Sequence, residues 1–156
     1  MDIVDGKVLQ EFQNWGKLYS VEFEITVINP GSGWTNVFHF APVNKLGDRI
    51  PGRIPAFFIN SDGYFHICSA VSGNGNYCYN FFFELGKQYQ ITIKQFNTSG
   101  KYWYEIIIDG ESKIKKENTQ PKSFASVNFY ASNGVENTFS TDLGSICNVN
   151  IQNDEV

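Results

Sequence analysis

The sequence predicts an all-β fold, two antiparallel sheets packed face to face as a sandwich or jelly roll, and three observations predict it. The stretch Gln88 to Gly110, QYQITIKQFNTSGKYWYEIIIDG, holds two β-rich runs that face each other across the polar turn Asn97-Thr98-Ser99-Gly100. Tyr19, Val21, Phe23, Ile25 and Val27 alternate with Ser20, Glu22, Glu24 and Thr26, the period of a strand with one buried face. Phenylalanine (14) and tyrosine (8) are abundant and methionine (1) is scarce, a composition suited to pleated strands.

Taken in order, the chain offers a short first strand at Lys7-Val8-Leu9, expected to pair near the C-terminus, and then the alternating strand from Tyr19. Asn29-Pro30-Gly31-Ser32-Gly33 stops that strand as a turn. Trp34 to Phe40 follows, with Phe38 and Phe40 on one face and Val37 and His39 on the other. Ala41 to Pro55 has no period, and its prolines and glycines, with the near-duplication Arg49-Ile50-Pro51 and Arg53-Ile54-Pro55, read as a surface loop. Ala56 to Ile59 and Tyr64 to Cys68 form a hairpin over Asn60-Ser61-Asp62-Gly63. Val71 to Asn76 reads as a loop, and Tyr77 to Leu85 as a strand whose Phe81, Phe82 and Phe83 imply apolar cover on both faces. In the long hairpin, Tyr89, Ile91 and Ile93 face one way, and the denser run Tyr102 to Ile108 reads as a central strand. Glu111 to Ile114 adds an edge, and Phe124 to Ala131 another strand. A second polar loop runs from Asn133 to Gly144, and Ser145 to Gln152 closes the fold with Cys147, Val149 and Ile151 inward. No internal repeat or linker divides the 156 residues, so a single domain is expected.

A net charge of −4 and the lack of a basic footprint exclude nucleic acid as the expected partner. No apolar run reaches the roughly 20 residues of a membrane helix, so membrane insertion is not expected. Met1-Asp2-Ile3-Val4-Asp5 does not resemble a secretory leader, so the extracellular reading takes the chain as a mature ectodomain, against a cytosolic alternative. Two features favour that reading: Asn97-Thr98-Ser99 is a glycosylation sequon on an exposed turn, and Cys68 and Cys78 flank a Gly/Asn loop where a disulfide would close a hairpin. Cys147 is left over and reads as a small buried thiol, with pairing to another cysteine or another chain left open.

Metal and nucleophile motifs such as HExxH, GxSxG and Cys-x-x-Cys are missing, and no cofactor is required by the sequence. His39 and His66 lie within aromatic strands, where a structural role is expected. Glu22 and Glu24 project from one strand to the same face, a spacing that jelly-roll glycosidases use, but that face is expected to be wet, where glutamates belong. The loops carry the stronger case. Trp34 offers a stacking surface, and Asp48, Arg49, Arg53, Asn74, Asn76, Glu136 and Asn137 offer oxygen and guanidinium groups for a ligand at the sandwich rim. Asp48 and Asp142 are the candidate ligands for Ca²⁺, which takes 6 to 8 oxygens.

The chain resembles the laminin G-like branch of the concanavalin A-like jelly rolls. The resemblance rests on Tyr19 to Ile25, on Ile54 to Tyr64 with its Asp62-Gly63 turn, and on Leu85 to Ile93 leading to Ile106-Ile107-Ile108-Asp109-Gly110. It implies an extracellular module for protein or glycan recognition and adhesion, non-catalytic, sometimes with Ca²⁺ at the rim. The alternatives are a lectin that uses the concave sheet face and a glycoside hydrolase built on Glu22 and Glu24. Galectins share the sandwich, but their His-x-Asn-x-Arg and Trp-x-x-Glu runs fail at His39, Trp34 and Trp103, which disfavours a β-galactoside lectin.

Overall fold

The computed structural model describes residues 7–43, 53–132 and 136–154. Its strands are β1 (Val8–Trp15), β2 (Leu18–Val27), β3 (Trp34–Pro42), β4 (Ala56–Asn60), β5 (Tyr64–Val71), β6 (Asn74–Phe82), β7 (Gln88–Thr98), β8 (Lys101–Ile108), β9 (Glu111–Glu117), β10 (Phe124–Tyr130), β11 (Asn137–Thr138) and β12 (Gly144–Asp154). A larger sheet runs β1-β10-β3-β4-β5-β6, with β11 parallel to the start of β3, and a smaller sheet runs β12-β2-β7-β8-β9. All other pairings are antiparallel, and among the described residues no helix is long and apolar enough to cross a membrane.

The alternation in the sequence builds the interior directly. Val21, Phe23 and Ile25 of β2 stand opposite Ile93, Ile91 and Tyr89 of β7, and all are buried. From the larger sheet come Phe38, Phe40, Phe57, Phe65, Ile67, Val127 and Phe129. The layers meet edge to face: Phe23 lies 5.1 Å from Phe38 and 5.0 Å from Phe57, at interplanar angles of 89° and 81°. That geometry sets each ring's positive edge against a neighbour's negative face.

Three hairpins are closed by two-residue turns, Ser72-Gly73, Ser99-Gly100 and Asp109-Gly110, with both residues of each at positive φ. This is the primed turn whose twist matches the flanking strands. The segment 71–76, expected to be a loop, is therefore a tight turn, and Asn74 to Asn76 already belong to β6.

Other departures from expectation share one cause, a break in the pleat. Phe12 and Trp15 sit three apart, which a regular strand would place on opposite faces. Asn14 lies between them at φ 55°, Trp15 turns back into the core, and β1 pairs with β10 rather than near the C-terminus. A bulge between Asn36 and Phe38 brings Val37 inward beside Phe38 and Phe40. Another between Cys147 and Asn150, with Asn148 at φ 53°, resets the phase of β12. Ile146 and Ile151 then pack on the core while Cys147 and Val149 are exposed, so the expected buried thiol is a surface one. Phe82 is also exposed, at 73 %, because β6 is the sheet edge and its outer face is open there, whereas Phe81 and Phe83 pack inward. The late polar loop contributes β11 and the fully buried Phe139.

Candidate functional site

Because Phe57 and Ile59 point inward, Phe58 points out, and its lateral partners His66 and Asn80 stand beside it on the outer face of the larger sheet. Phe58 is nonetheless only 2 % exposed. Trp34 folds over from the start of β3, with its ring 4.9 Å from His66 and 6.3 Å from Phe58. From the opposite direction, Arg53 is anchored by its carbonyl, which accepts from the Ala70 amide at 3.0 Å, and places its guanidinium 5.1 Å over the Phe58 ring. Arg53 Nη1 also donates to Asn76 Oδ1. Trp34, Arg53, Phe58, His66, Asn76 and Glu136 together line a recess of about 230 Å³.

His66 Nδ1 donates to Asn80 Oδ1 at 2.5 Å, which leaves Nε2 as the acceptor of a neutral ring. Burial pushes the His66 pKa down, the Asn80 hydrogen bond opposes this, and the nearby Arg53 charge adds to the lowering. The lowering favours the neutral ring. The recess thus joins one partly exposed aromatic wall, Trp34, over the buried Phe58 with a guanidinium, an imidazole, an amide and the Glu136 carboxylate, the mixture of a plane and directional polar groups that a hydroxylated ring can use.

Of the residues singled out in the sequence, the structure brings Trp34, Arg53, Asn76 and Glu136 into this one recess. Asn74 is exposed at the Ser72-Gly73 end of the sandwich. Asn137, whose amide donates to Ser32 O at 2.7 Å, and exposed Asp142 lie at the opposite end, so the described loop residues divide between two rims and a sheet face. Asp48 and Arg49 lie outside the described residues. Asn97 is exposed next to its hairpin turn, where its side chain accepts from the Gly100 amide.

Cys68 and Cys78, directly opposed on β5 and β6, form a disulfide. With His66 they bring three metal-ligating atoms within 4.8 Å, but sulfurs joined to each other offer no thiolate, so this cluster does not make a metal centre. Glu22 and Glu24 stand on the outer face of the smaller sheet, away from the recess. Glu24 Oε2 accepts from Asn148 Nδ2 at 2.8 Å and from Gln88 Nε2 at 3.2 Å.

Two other depressions are less suited to a ligand. One of about 40 Å³, between Trp15, Tyr19, Ile54 and Phe124, has room for little more than water. It adjoins the Tyr19 hydroxyl, which bonds Ser69 at 3.4 Å and which burial pushes up to about 12. The other, about 260 Å³ beside Asn97, is lined by Leu18, Ser20, Phe96 and Gln152 among others, and contains no tryptophan, histidine or arginine.

No protein-family model matches the sequence, and no curated protein does. Solved structures match the fold. A heptameric SAP-like pentraxin from Limulus polyphemus aligns at TM-score 0.55 and 11 % identity, over 92 % of this chain and 67 % of its own. The CBM40 of Ruminococcus gnavus IT-sialidase, bound to α2,3-sialyllactose, aligns at TM-score 0.53 and 10 % identity, over 96 % and 89 %. A human galectin-16 variant aligns at TM-score 0.51 and 14 % identity, over 97 % and 100 %. The fold is a concanavalin A-like jelly roll. At these identities the likeness establishes architecture and does not single out the laminin G-like branch.

Phe58 and Asn80 are the site residues that the loop-centred reading of the sequence passed over, and His66, expected to be structural, lines the recess. The signal was present in Ala56-Phe57-Phe58-Ile59: a strand apolar on both faces must be covered on both.

Proposed function

We propose that the protein is a non-catalytic glycan-recognition module that holds a sugar ring in the recess on the outer face of the larger sheet. The observation that carries this reading is the convergence of Trp34, Arg53, Phe58, His66, Asn76 and Glu136 around about 230 Å³, where a sugar's C–H face can lie on an aromatic wall while its hydroxyls meet directional polar groups. The CBM40 neighbour, which has the same fold and was solved with a bound oligosaccharide, supports a sugar as the class of ligand. The hydrolase alternative is less well supported, because Glu22 and Glu24 are remote from the recess and Glu24 is occupied by two amide donors.

An extracellular or cell-surface setting belongs to the same proposal. It is supported by the Cys68–Cys78 disulfide, of a kind that persists in oxidising compartments, and by the exposed Asn97 sequon as a glycosylation site. Adhesion would follow from glycan recognition in that setting. A rim Ca²⁺ held by Asp142 with Asp48 is a separate expectation, checked by calorimetric titration with Ca²⁺ alone.

The test is an immobilised-glycan array of neutral and acidic sugars, probed with wild-type protein and with Trp34→Ala. Binding by the wild type that falls at least tenfold in the variant is expected. No binding to any glycan, or binding that survives Trp34→Ala unchanged, contradicts the reading.

A further inference from the structure

Beside the recess, a second row of side chains crosses the same face. Trp34 pairs with Asn60, Asn60 with Tyr64, and Tyr64 with Phe82, so these residues form one lateral rung across β3, β4, β5 and β6. The Trp34 and Tyr64 ring centres are 5.9 Å apart, and those of Tyr64 and Phe82 are 5.4 Å apart. Successive planes are inclined at 85° and 57°, which makes a stepped ledge rather than a flat plate. Trp34 is 39 % exposed and Phe82 73 %, and an apolar surface kept open next to a recess costs solvation that a ligand would recover.

The neighbouring rung runs from Phe58 through His66 to Asn80, so hydrogen-bonding groups lie alongside the rings. Neither rung contains Lys, Arg, Asp or Glu, and Trp34 belongs to both the ledge and the recess wall. We infer that this ledge is a second sugar subsite and that the protein reads an oligosaccharide, with one unit in the recess and the next stacked over Tyr64 and Phe82 toward the β6 edge.

This rests on the reading of the recess as a sugar site, and three features point to a further sugar unit as the occupant. The ring spacing is close to the length of one pyranose unit. The stepped rings run beside the polar His66 and Asn80 of the next rung, matching a ligand that is itself apolar on its faces and polar at its rim. Three aromatic side chains supply roughly 750 Å² at most, and less here because Trp34 is only 39 % exposed, below the roughly 800 Å² per partner of a standard protein interface.

The experiment probes an array of matched mono- to hexasaccharides with wild type, Phe82→Ala and Phe82→Tyr. Phe82 is far enough from the core for the alanine variant to fold, which near-UV circular dichroism checks. Expected is unchanged binding of monosaccharides, a threefold to tenfold loss for longer chains in Phe82→Ala, and retention in Phe82→Tyr. Phe82→Ala matching wild type at every length, or losing equally at every length, overturns the ledge and leaves the recess standing. A wild type that binds no glycan overturns the recess, and the ledge with it.

Discussion

The outer faces of the two sheets are built on the same period and come out as opposite surfaces. On the smaller sheet the outward positions form a charged lattice: Lys94 pairs with Glu105 at 3.4 Å, and the Lys115 ammonium lies 5.4 Å from the Phe96 ring centre and 5.3 Å from that of Trp103. The Lys94 and Lys115 ammonium groups thus lie against the half-buried Phe96 and Trp103 rings. On the larger sheet the corresponding positions hold Phe58, His66, Trp34 and Tyr64, and the cation that reaches them, Arg53, lies over a buried ring rather than in a solvated lattice. Alternation alone says that a strand has two faces. What the second face is for depends on whether its side chains tolerate water.

The sharpest way to break this contrast is to truncate matched outward residues. Phe58→Ala is expected to cost about 3 kcal/mol or more in urea unfolding, because it removes a ring buried on a nominally outer face, whereas half-buried Ile107→Ala costs about 1 kcal/mol. Equal losses would mean that the two faces are energetically alike. Next in size is the disulfide, which joins β5 to β6 beside His66 on the same face of the larger sheet. Replacing both Cys68 and Cys78 with alanine is expected to lower stability by about 2 kcal/mol, and thiol titration of the unfolded, unreduced wild type should find Cys147 as the one free thiol.

A smaller effect is pH-dependent. The His66 pKa lies below its ordinary 6.5 in the folded protein, so as pH falls through that value the unfolded chain takes up its proton first and stability declines. A melting temperature that drops from pH 7 toward pH 5 in wild type, and drops less in His66→Asn, is the expected result. Identical pH profiles would place His66 outside the buried site. The smallest change should come from the charged face: Lys94→Met is expected to cost at most about 1 kcal/mol, since the pair it breaks is partly solvated.

The framework was legible in the sequence because its signals are local. The run from Tyr19 to Val27, the Asp62-Gly63 hairpin and the two runs around Ser99-Gly100 each announce a strand or turn through adjacent residues, and each formed. Single-residue breaks in the pleat were not legible. Nothing near Asn148 or Val37 marks a bulge, and one such slip is enough to send Cys147 to the surface. The candidate site was half legible: Trp34, Arg53, Asn76 and Glu136 were singled out as loop groups, but they converge on Phe58 only through the lateral register of β3, β4, β5 and β6, and register is a long-range property. The polar character of Asn137 and Asp142 drew attention to a rim that this recess does not use.

The most direct test of the account is where a sugar touches the protein. Backbone and indole amide resonances of isotopically labelled protein, followed by NMR during titration with the glycan that binds strongest on the array, should shift at Trp34, His66 and Asn76 and stay still across β2, β7 and β8. Shifts confined to the charged face of the smaller sheet, or to the Asn97 groove, would contradict it.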